Sequence, residues 1–198
     1  MNKDKPARTA AIILSGQPYK SPKQAIELAS AMFGDLHELL GAVKLRMPEG
    51  DALTSQSQLA SAIQAAEGNI IITWADAAAT PLYAVSGALD ALKSATAVVG
   101  PCANGEIYLF GFEGPVDAEL AEEISEILFQ EKPLDELTNL LDDLEAESVV
   151  LPPWFRVKSA EMLSFAENLA RLSLLSEDGE DDFIADRLRV WFEENAEE

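Results

Sequence analysis

Asp76 is the side chain in this sequence best placed to do chemistry. It follows Ile70-Ile71-Ile72-Thr73, an apolar run rich in β-branched residues that reads as a strand covered on both faces. A carboxylate just past the carboxyl end of such a strand stands where open α/β sheets hold their ligands. The plainer alternative is a turn or helix-cap carboxylate. A second candidate is the loop Ser15-Gly16-Gln17-Pro18-Tyr19-Lys20-Ser21-Pro22-Lys23, which follows the apolar run Ala10 to Leu14. A loop of this kind between a strand and a helix can wrap phosphates with its backbone amides, helped by the positive helix N-terminus. Gly16, Lys20 and Lys23 would be its working residues; an ordinary turn is the competing reading. Cys102 is the single cysteine and His37 the single histidine. A catalytic thiol needs a basic partner nearby, so Cys102 reads better as a small residue filling a turn. Nothing near His37 in sequence would orient it as a general base, and a surface or helix-end position is the better account.

The elements that must position these residues can be traced from periodicity and turn chemistry. Thr80-Pro81 offers an N-cap and a proline at the first helical position, and Leu82, Val85, Leu89 and Leu92 give the helix that follows one apolar face. Ala97-Val98-Val99 starts a strand that Gly100-Pro101 stops. Asn104-Gly105 is a turn signal before the strand Ile107-Tyr108-Leu109-Phe110, so the two strands are expected around a sharp bend. Nearer the start, Ser21-Pro22 opens a helix carrying Ile26, Leu28, Ala29, Met32 and Phe33, with Gly34 as its expected stop. Leu39 to Leu45 is then expected as a strand, with His37 between the two elements. Thr54 to Ala66 reads as an amphipathic helix marked by Leu59, Ala62, Ile63 and Ala66. Later helices are expected over 117–130, from Leu134 to Glu145, and from Ser159 to about Ser173, with a short strand from Ser148 to Leu151. An acidic loop from Ser176 to Asp182 leads to a terminal helix bearing Phe183, Ile184, Leu188, Val190, Trp191 and Phe192. Those large apolar residues must pack on the domain or on a second subunit, which leaves a homodimer through this helix open.

The chain has 198 residues, 48% of them hydrophobic, enough for one domain with a substantial core. One domain over 1–175 is expected, with residues 176–198 as an acidic loop and helix packed on it or on a partner. No apolar run is long enough to span a bilayer, and Met1 to Arg8 is polar with no signal-like segment behind it. A lone cysteine forms no internal disulfide, which points to a reducing cytoplasm. The net charge of −21 comes from 35 acids against 14 bases. Residues 113–147 carry thirteen acids and one lysine, whereas residues 1–50 hold seven bases against five acids. Such acidic helices repel a nucleic-acid backbone, so DNA and RNA are excluded as expected partners. A solvated helical face is the plainer reading of the acid runs, and a partner-binding surface the sharper one.

The order of elements resembles the glycosyltransferase-A (nucleotide-diphospho-sugar transferase) superfamily, and within it the bacterial branch near phospholactate and molybdenum-cofactor guanylyltransferases. That branch shows a strand ending in Gly-Ser/Thr-Asp-x-Pro, a helix, and a Gly-Pro-x-x-Asp-Gly-Gly-Tyr turn. Here these read Trp74-Ala75-Asp76-Ala77-Ala78 and Gly100-Pro101-Cys102-Ala103-Asn104-Gly105-Glu106-Ile107. The resemblance covers roughly residues 10–172. It implies a three-layer α/β/α domain with a mostly parallel central sheet, and a nucleotide or nucleotide-sugar as the ligand. The family's closing motif, Tyr-Asp-Val-Asp-Thr-x-x-Asp-Leu, is matched in spacing by the stretch from Trp154 to Leu163, with Arg156 and Lys158 in place of two aspartates.

On this resemblance Asp76 is the catalytic position, and Gly16, Lys20, Lys23, Asn104, Gly105, Arg156 and Lys158 would line the ligand. The superfamily holds its diphosphate on a divalent cation, which needs oxygen donors. Asn104, Arg156 and Lys158 stand where partners of Asp76 are expected, and two of them are cations. Each like-charge pair at ~4 Å costs about 1–4 kcal/mol in a surface cleft. No metal site and no cofactor are therefore expected; Mg²⁺ or Mn²⁺ enters only if the protein is an active transferase. Three functions follow: a relative that has lost metal-dependent transfer and binds a nucleotide or phosphorylated ligand, a glycosyl- or nucleotidyltransferase using Lys158 or Arg156 as phosphate counter-charge, and a protein–protein interaction module. Salt bridges from Arg156 and Lys158 to the acidic helices are the plain alternative to a ligand role.

Overall fold

The computed structural model describes residues 9–16, 22–46, 51–77, 79–173 and 185–195. Among the described residues five strands and seven helices follow in the order β1 (Ala10–Leu14), α1 (Pro22–Ala42), α2 (Gln56–Gln64), β2 (Ile70–Trp74), α3 (Leu82–Ala91), β3 (Ala97–Pro101), β4 (Ile107–Phe112), α4 (Ala118–Leu128), α5 (Leu134–Asp143), β5 (Ser148–Val150), α6 (Ala160–Ser173) and α7 (Asp186–Asn195). The strands form one sheet in the order β1-β2-β4-β3-β5. β1 with β2 and β3 with β5 pair parallel, while β4 is antiparallel to both of its neighbours. The sheet is thus mixed, with β1, β2, β3 and β5 running one way and β4 the other. The cause is local: Asn104-Gly105 turns the chain straight back, with Gly105 at φ +85°, a conformation that favours glycine. Among the described residues no helix is long and apolar enough to cross a membrane.

The apolar runs behave as their composition dictates. Every residue of β2 and β4 is buried, so Ile70 and Ile72 pair with Phe112 and Phe110, and Ile71 with Gly111, with no charge between them. Each such aliphatic side chain stabilises the fold by roughly 1.5–3 kcal/mol on leaving water. α2 begins at a capping box, in which Ser55 accepts from the amide of Gln58 and the Gln58 side chain accepts from the amide of Ser55. α3 starts one residue later than expected. Pro81 is its N-cap, and the Thr80 hydroxyl donates instead to the carbonyl of Ala77 at 2.9 Å.

The first third of the chain departs most from expectation. α1 runs through Gly34 and Gly41 to Ala42, and the strand expected over 39–45 is helix for most of its length. Leu28, Met32, Leu36, Leu39 and Leu40 are all buried, one continuous helical stripe that outweighs two weak helix formers. Gly34 is a contact rather than a stop. A Cβ there would lie 2.5 Å from Cδ of Arg187, because α7 crosses α1 at that point. His37 accordingly sits on the exposed face of α1, its ring 6.1 Å from that of Phe33. Leu188 and Trp191 of α7 pack within the chain, buried beside Leu28, Met32 and Leu163 with Phe192 partly buried against them, while Val190 stays exposed. Asp35 on α1 fixes the start of α7, accepting from the amides of Arg187 at 3.0 Å and Leu188 at 2.9 Å. Phe183, Ile184, the acidic loop from Ser176 to Asp182 and the start from Met1 to Arg8 lie outside the described residues.

Candidate functional site

Three segments meet at one end of the sheet. β2 delivers Asp76 just beyond its carboxyl end. β4 runs the opposite way, so its beginning lies at the same end, and the register pairs Thr73 with Leu109. Continuing that register three residues outward brings Asp76 abreast of Glu106. The third segment, Trp154 to Lys158, crosses both. The amide of Trp154 donates to the carbonyl of Pro101 at 3.0 Å, and the amide of Val157 donates to the carbonyl of Asp76 at 2.8 Å. Arg156 and Lys158 flank a bend at Val157, where the amide of Lys158 donates to the carbonyl of Arg156 at 3.0 Å.

Both cations find carboxylates there. Arg156 grips Asp76 through two bonds, Nε to Oδ1 at 2.7 Å and a terminal nitrogen to Oδ2 at 3.0 Å. Asp76 is 0% exposed and Arg156 8%, so this fork is desolvated. The guanidinium carbon also sits 4.8 Å from the ring centroid of Trp74, a distance suited to cation–π attraction. Beside it, the Lys158 ammonium bonds the carboxylate of Glu106, and the other oxygen of that carboxylate accepts from the Asn104 side-chain amide at 2.8 Å. Asn104 also accepts from the backbone amide of Glu106 at 3.3 Å, which ties the turn to the carboxylate that follows it.

Burial alone would raise the Glu106 carboxyl. The hydrogen bonds from Lys158 and Asn104 and the nearby Arg156 charge outweigh it, and the group lies below the ordinary value. Cys102 is buried among these charges, and burial first, then the Glu106 charge, pushes its thiol up to about 12. At neutral pH it stays protonated and a poor nucleophile, which favours the turn-filling reading.

Gly16 belongs to this place for a steric reason. A Cβ on it would come within 2.3 Å of Cγ of Asp76 and 2.6 Å of the Asp76 amide nitrogen. The end of β1 therefore rests directly on the Asp76 backbone, and only glycine fits. Of the sequence candidates, the structure brings Gly16, Asp76, Asn104, Arg156 and Lys158 together. Gly105 shapes the neighbouring turn, its carbonyl accepting from the amide of Leu134 at 3.2 Å. Lys20 and most of its loop lie outside the described residues, and the side chain of Lys23 does too. His37 is on α1 and takes no part. Sequence reasoning missed Glu106 and Trp74. Trp74 had a readable signal, since it ends the strand that delivers Asp76; Glu106 had none, because only the register of β2 with β4 sets it opposite Asp76. The expected salt bridges of Arg156 and Lys158 do form, but with these carboxylates rather than with the acidic helices.

The likeness to solved structures identifies this mixed sheet with its reversed β4 as a nucleotide-diphospho-sugar transferase-like (GT-A-like) fold. Among solved structures, the chain is similar to a protein from Desulfovibrio desulfuricans G20 assigned as a nucleotide-diphospho-sugar transferase. The TM-score is 0.66 at 15% identity, covering 95% of this chain and 94% of that one. It is also similar to 4-diphosphocytidyl-2C-methyl-D-erythritol synthase from Anaerococcus prevotii DSM 20548, with a TM-score of 0.53 at 8% identity, covering 82% of this chain and 97% of that one. At these identities the likeness speaks for the fold. No protein-family model and no curated protein sequence matches the chain.

Proposed function

We propose that this chain is a transferase-fold protein that has lost metal-dependent group transfer and keeps its ligand edge as a binding surface for a nucleotide or another phosphorylated molecule. In this reading the helices cover both faces of the sheet, as the resemblance implies. The observation that carries the proposal is the fork between Arg156 and Asp76. A divalent cation held for diphosphate chemistry needs carboxylate oxygens free to coordinate it. Both oxygens of Asp76 are engaged by the guanidinium at 2.7 and 3.0 Å. The neighbouring carboxylate, Glu106, is engaged by Lys158 and Asn104. The donor set does not fit a hard cation: two fixed positive groups stand where the ion's charge would be, and the cluster of Asp76, Glu106, Arg156 and Lys158 is already balanced. Among the described residues, no group of three or more His, Cys, Asp or Glu side chains is arranged to hold a metal.

The test is calorimetric titration of Mn²⁺ and Mg²⁺ into the full chain. No saturable binding is expected up to millimolar metal. Micromolar binding that disappears in Asp76→Asn would refute the reading. Thermal-shift screening with nucleotides and nucleotide-sugars then tests the ligand, and a positive hit should weaken in Lys158→Ala.

One observation favours a second reading. Lys158 keeps 34% of its side chain exposed although it is paired, so it can meet a phosphate from solvent. A transferase using Lys158 as the phosphate counter-charge would turn over an activated donor in the presence of chelator, and Lys158→Ala would abolish that turnover. The homodimer expected through the C-terminal helix would have to use Val190, the apolar residue of α7 that stays exposed.

A further inference from the structure

A second concave surface lies at the far edge of the sheet from β1. It is a groove of about 520 Å³ between β5 and α5, with a floor of Val99, Pro101, Leu141, Ala146 and Val150. Its rim is acidic, made by Asp135, Asp142 and Glu145, and none of its lining residues is a cation. Among the described residues β5 is the last strand of the sheet and pairs only with β3. All three of its residues are exposed, and Val150 is 70% exposed. Because Val99 pairs with Val150 in parallel register, the two side chains share one face of the sheet, and that face is the floor. α5 lines one side of the groove through Leu134, Asp135, Thr138, Leu141 and Asp142, and Ser148 and Val150 of the exposed β5 line the other.

We infer that this groove binds a basic amphipathic helix of another protein. The occupant sits on a sheet face beside α5 rather than in the plane of the edge strand, so a helix packed at about 8–10 Å from α5 fits the space. Its apolar stripe would cover Val150 and Val99. Lysine or arginine side chains on either flank would reach Asp135 and Asp142, which are two turns, or ~10 Å, apart along α5. Charge selects this class of partner over a second copy of the chain. Residues 113–147 hold thirteen acids and one lysine and the whole chain carries −21, so two copies would bring acid against acid across a distance on the order of the ~8 Å screening length. The groove is separate from the Asp76 cluster, and this inference stands or falls independently of the transferase reading.

The experiment uses the full chain and a fluorescein-labelled 14-residue peptide of leucine and lysine in helical amphipathic order, followed by anisotropy at physiological salt. Saturable one-to-one binding is expected, at least tenfold tighter than for a peptide of the same composition in scrambled order. Val150→Asn should weaken it about tenfold. Asp142→Asn combined with Glu145→Gln should weaken it and flatten its salt dependence, whereas Glu122→Gln on α4 should leave it unchanged. These four positions are exposed, and unaltered thermal melts would show that the variants fold. Equal binding of the scrambled peptide, indifference to Val150→Asn, or a dimer in light scattering that Val150→Asn dissolves would each overturn the inference.

Discussion

Replacing Arg156 by methionine isolates the interaction on which the functional reading rests. Asp76 has no solvent exposure and is held by two bonds of 2.7 and 3.0 Å. Methionine retains the apolar contact with the Trp74 ring but leaves the carboxylate without its counter-charge. Removing one partner of a buried pair typically costs about 3–5 kcal/mol, because the remaining charge is stranded. For a chain of this size each kcal/mol moves the melting temperature by about 2–4 °C, so a fall of roughly 6–20 °C is expected. Urea denaturation followed by tryptophan fluorescence gives the free energy directly. The sign of the second substitution is more telling than the size of the first. Adding Asp76→Ala to Arg156→Met removes the stranded charge and should restore part of the lost stability. If Asp76→Ala destabilises the Arg156→Met protein further, or if Arg156→Met alone costs under ~1 kcal/mol, the fork does not govern this site and the argument against a metal there fails.

Three more outcomes follow from the same geometry. Glu106 lies below its ordinary value of 4.5 in the folded state, so it contributes stability that is present above that pH and is lost as pH falls through its folded value. Thermal melts below pH 4.5 should therefore decline more steeply for the wild type than for Lys158→Met; parallel curves would dismiss the pairing. Asp35 accepts from two amides at the start of α7, so Asp35→Ala should cost about 1–2 kcal/mol, and hydrogen exchange should accelerate first at Arg187 and Leu188 rather than across the sheet. The Cys102 thiol is pushed up to about 12 by burial, so iodoacetamide at pH 8 should label it only after denaturation, and rapid labelling of the native protein would contradict the packing described.

Much of the sheet was legible because its strands are local statements. The isoleucines of β2 and the Asn-Gly turn before β4 each announce an element within a few residues, and Asp76 follows from where β2 ends. α1 was misread because Gly34 and Gly41 look like punctuation in sequence. The buried stripe through Leu36, Leu39 and Leu40 overrides them, and the reason for Gly34 lies in Arg187, 153 positions away. The site was half legible for the same reason. Arg156 and Lys158 could be picked out as cations in an unusual place, and their effect on a metal could be argued. Their partners could not, since Arg156 meets Asp76 across 80 positions and Lys158 meets Glu106 across 52. An acid between a turn and an apolar strand reads as solvated until a register places it inside.

The two ion pairs differ in what they can do. A desolvated pair rarely adds stability over apolar residues of the same volume, so net stabilisation is a weak explanation for the Asp76–Arg156 fork. Positional specificity explains it better. The crossing segment from Trp154 to Lys158 is tied to the sheet by the amides of Trp154 and Val157, and backbone bonds of this kind tolerate a slip along the strand ends. A fork that matches one guanidinium to one carboxylate does not tolerate it. With Arg156 fixed, Lys158 is carried to Glu106 two residues on, and that second pair is the one in contact with water. Its lysine is part-exposed and reaches solvent, and the Glu106 carboxylate beneath it is also held by the Asn104 amide, whereas both partners of the fork are buried. In the proposed binding reading, an entering phosphate is therefore met by Lys158 while Arg156 stays on Asp76. This is why Lys158→Ala is the substitution expected to weaken ligand binding, and Arg156→Met the one expected to weaken the fold.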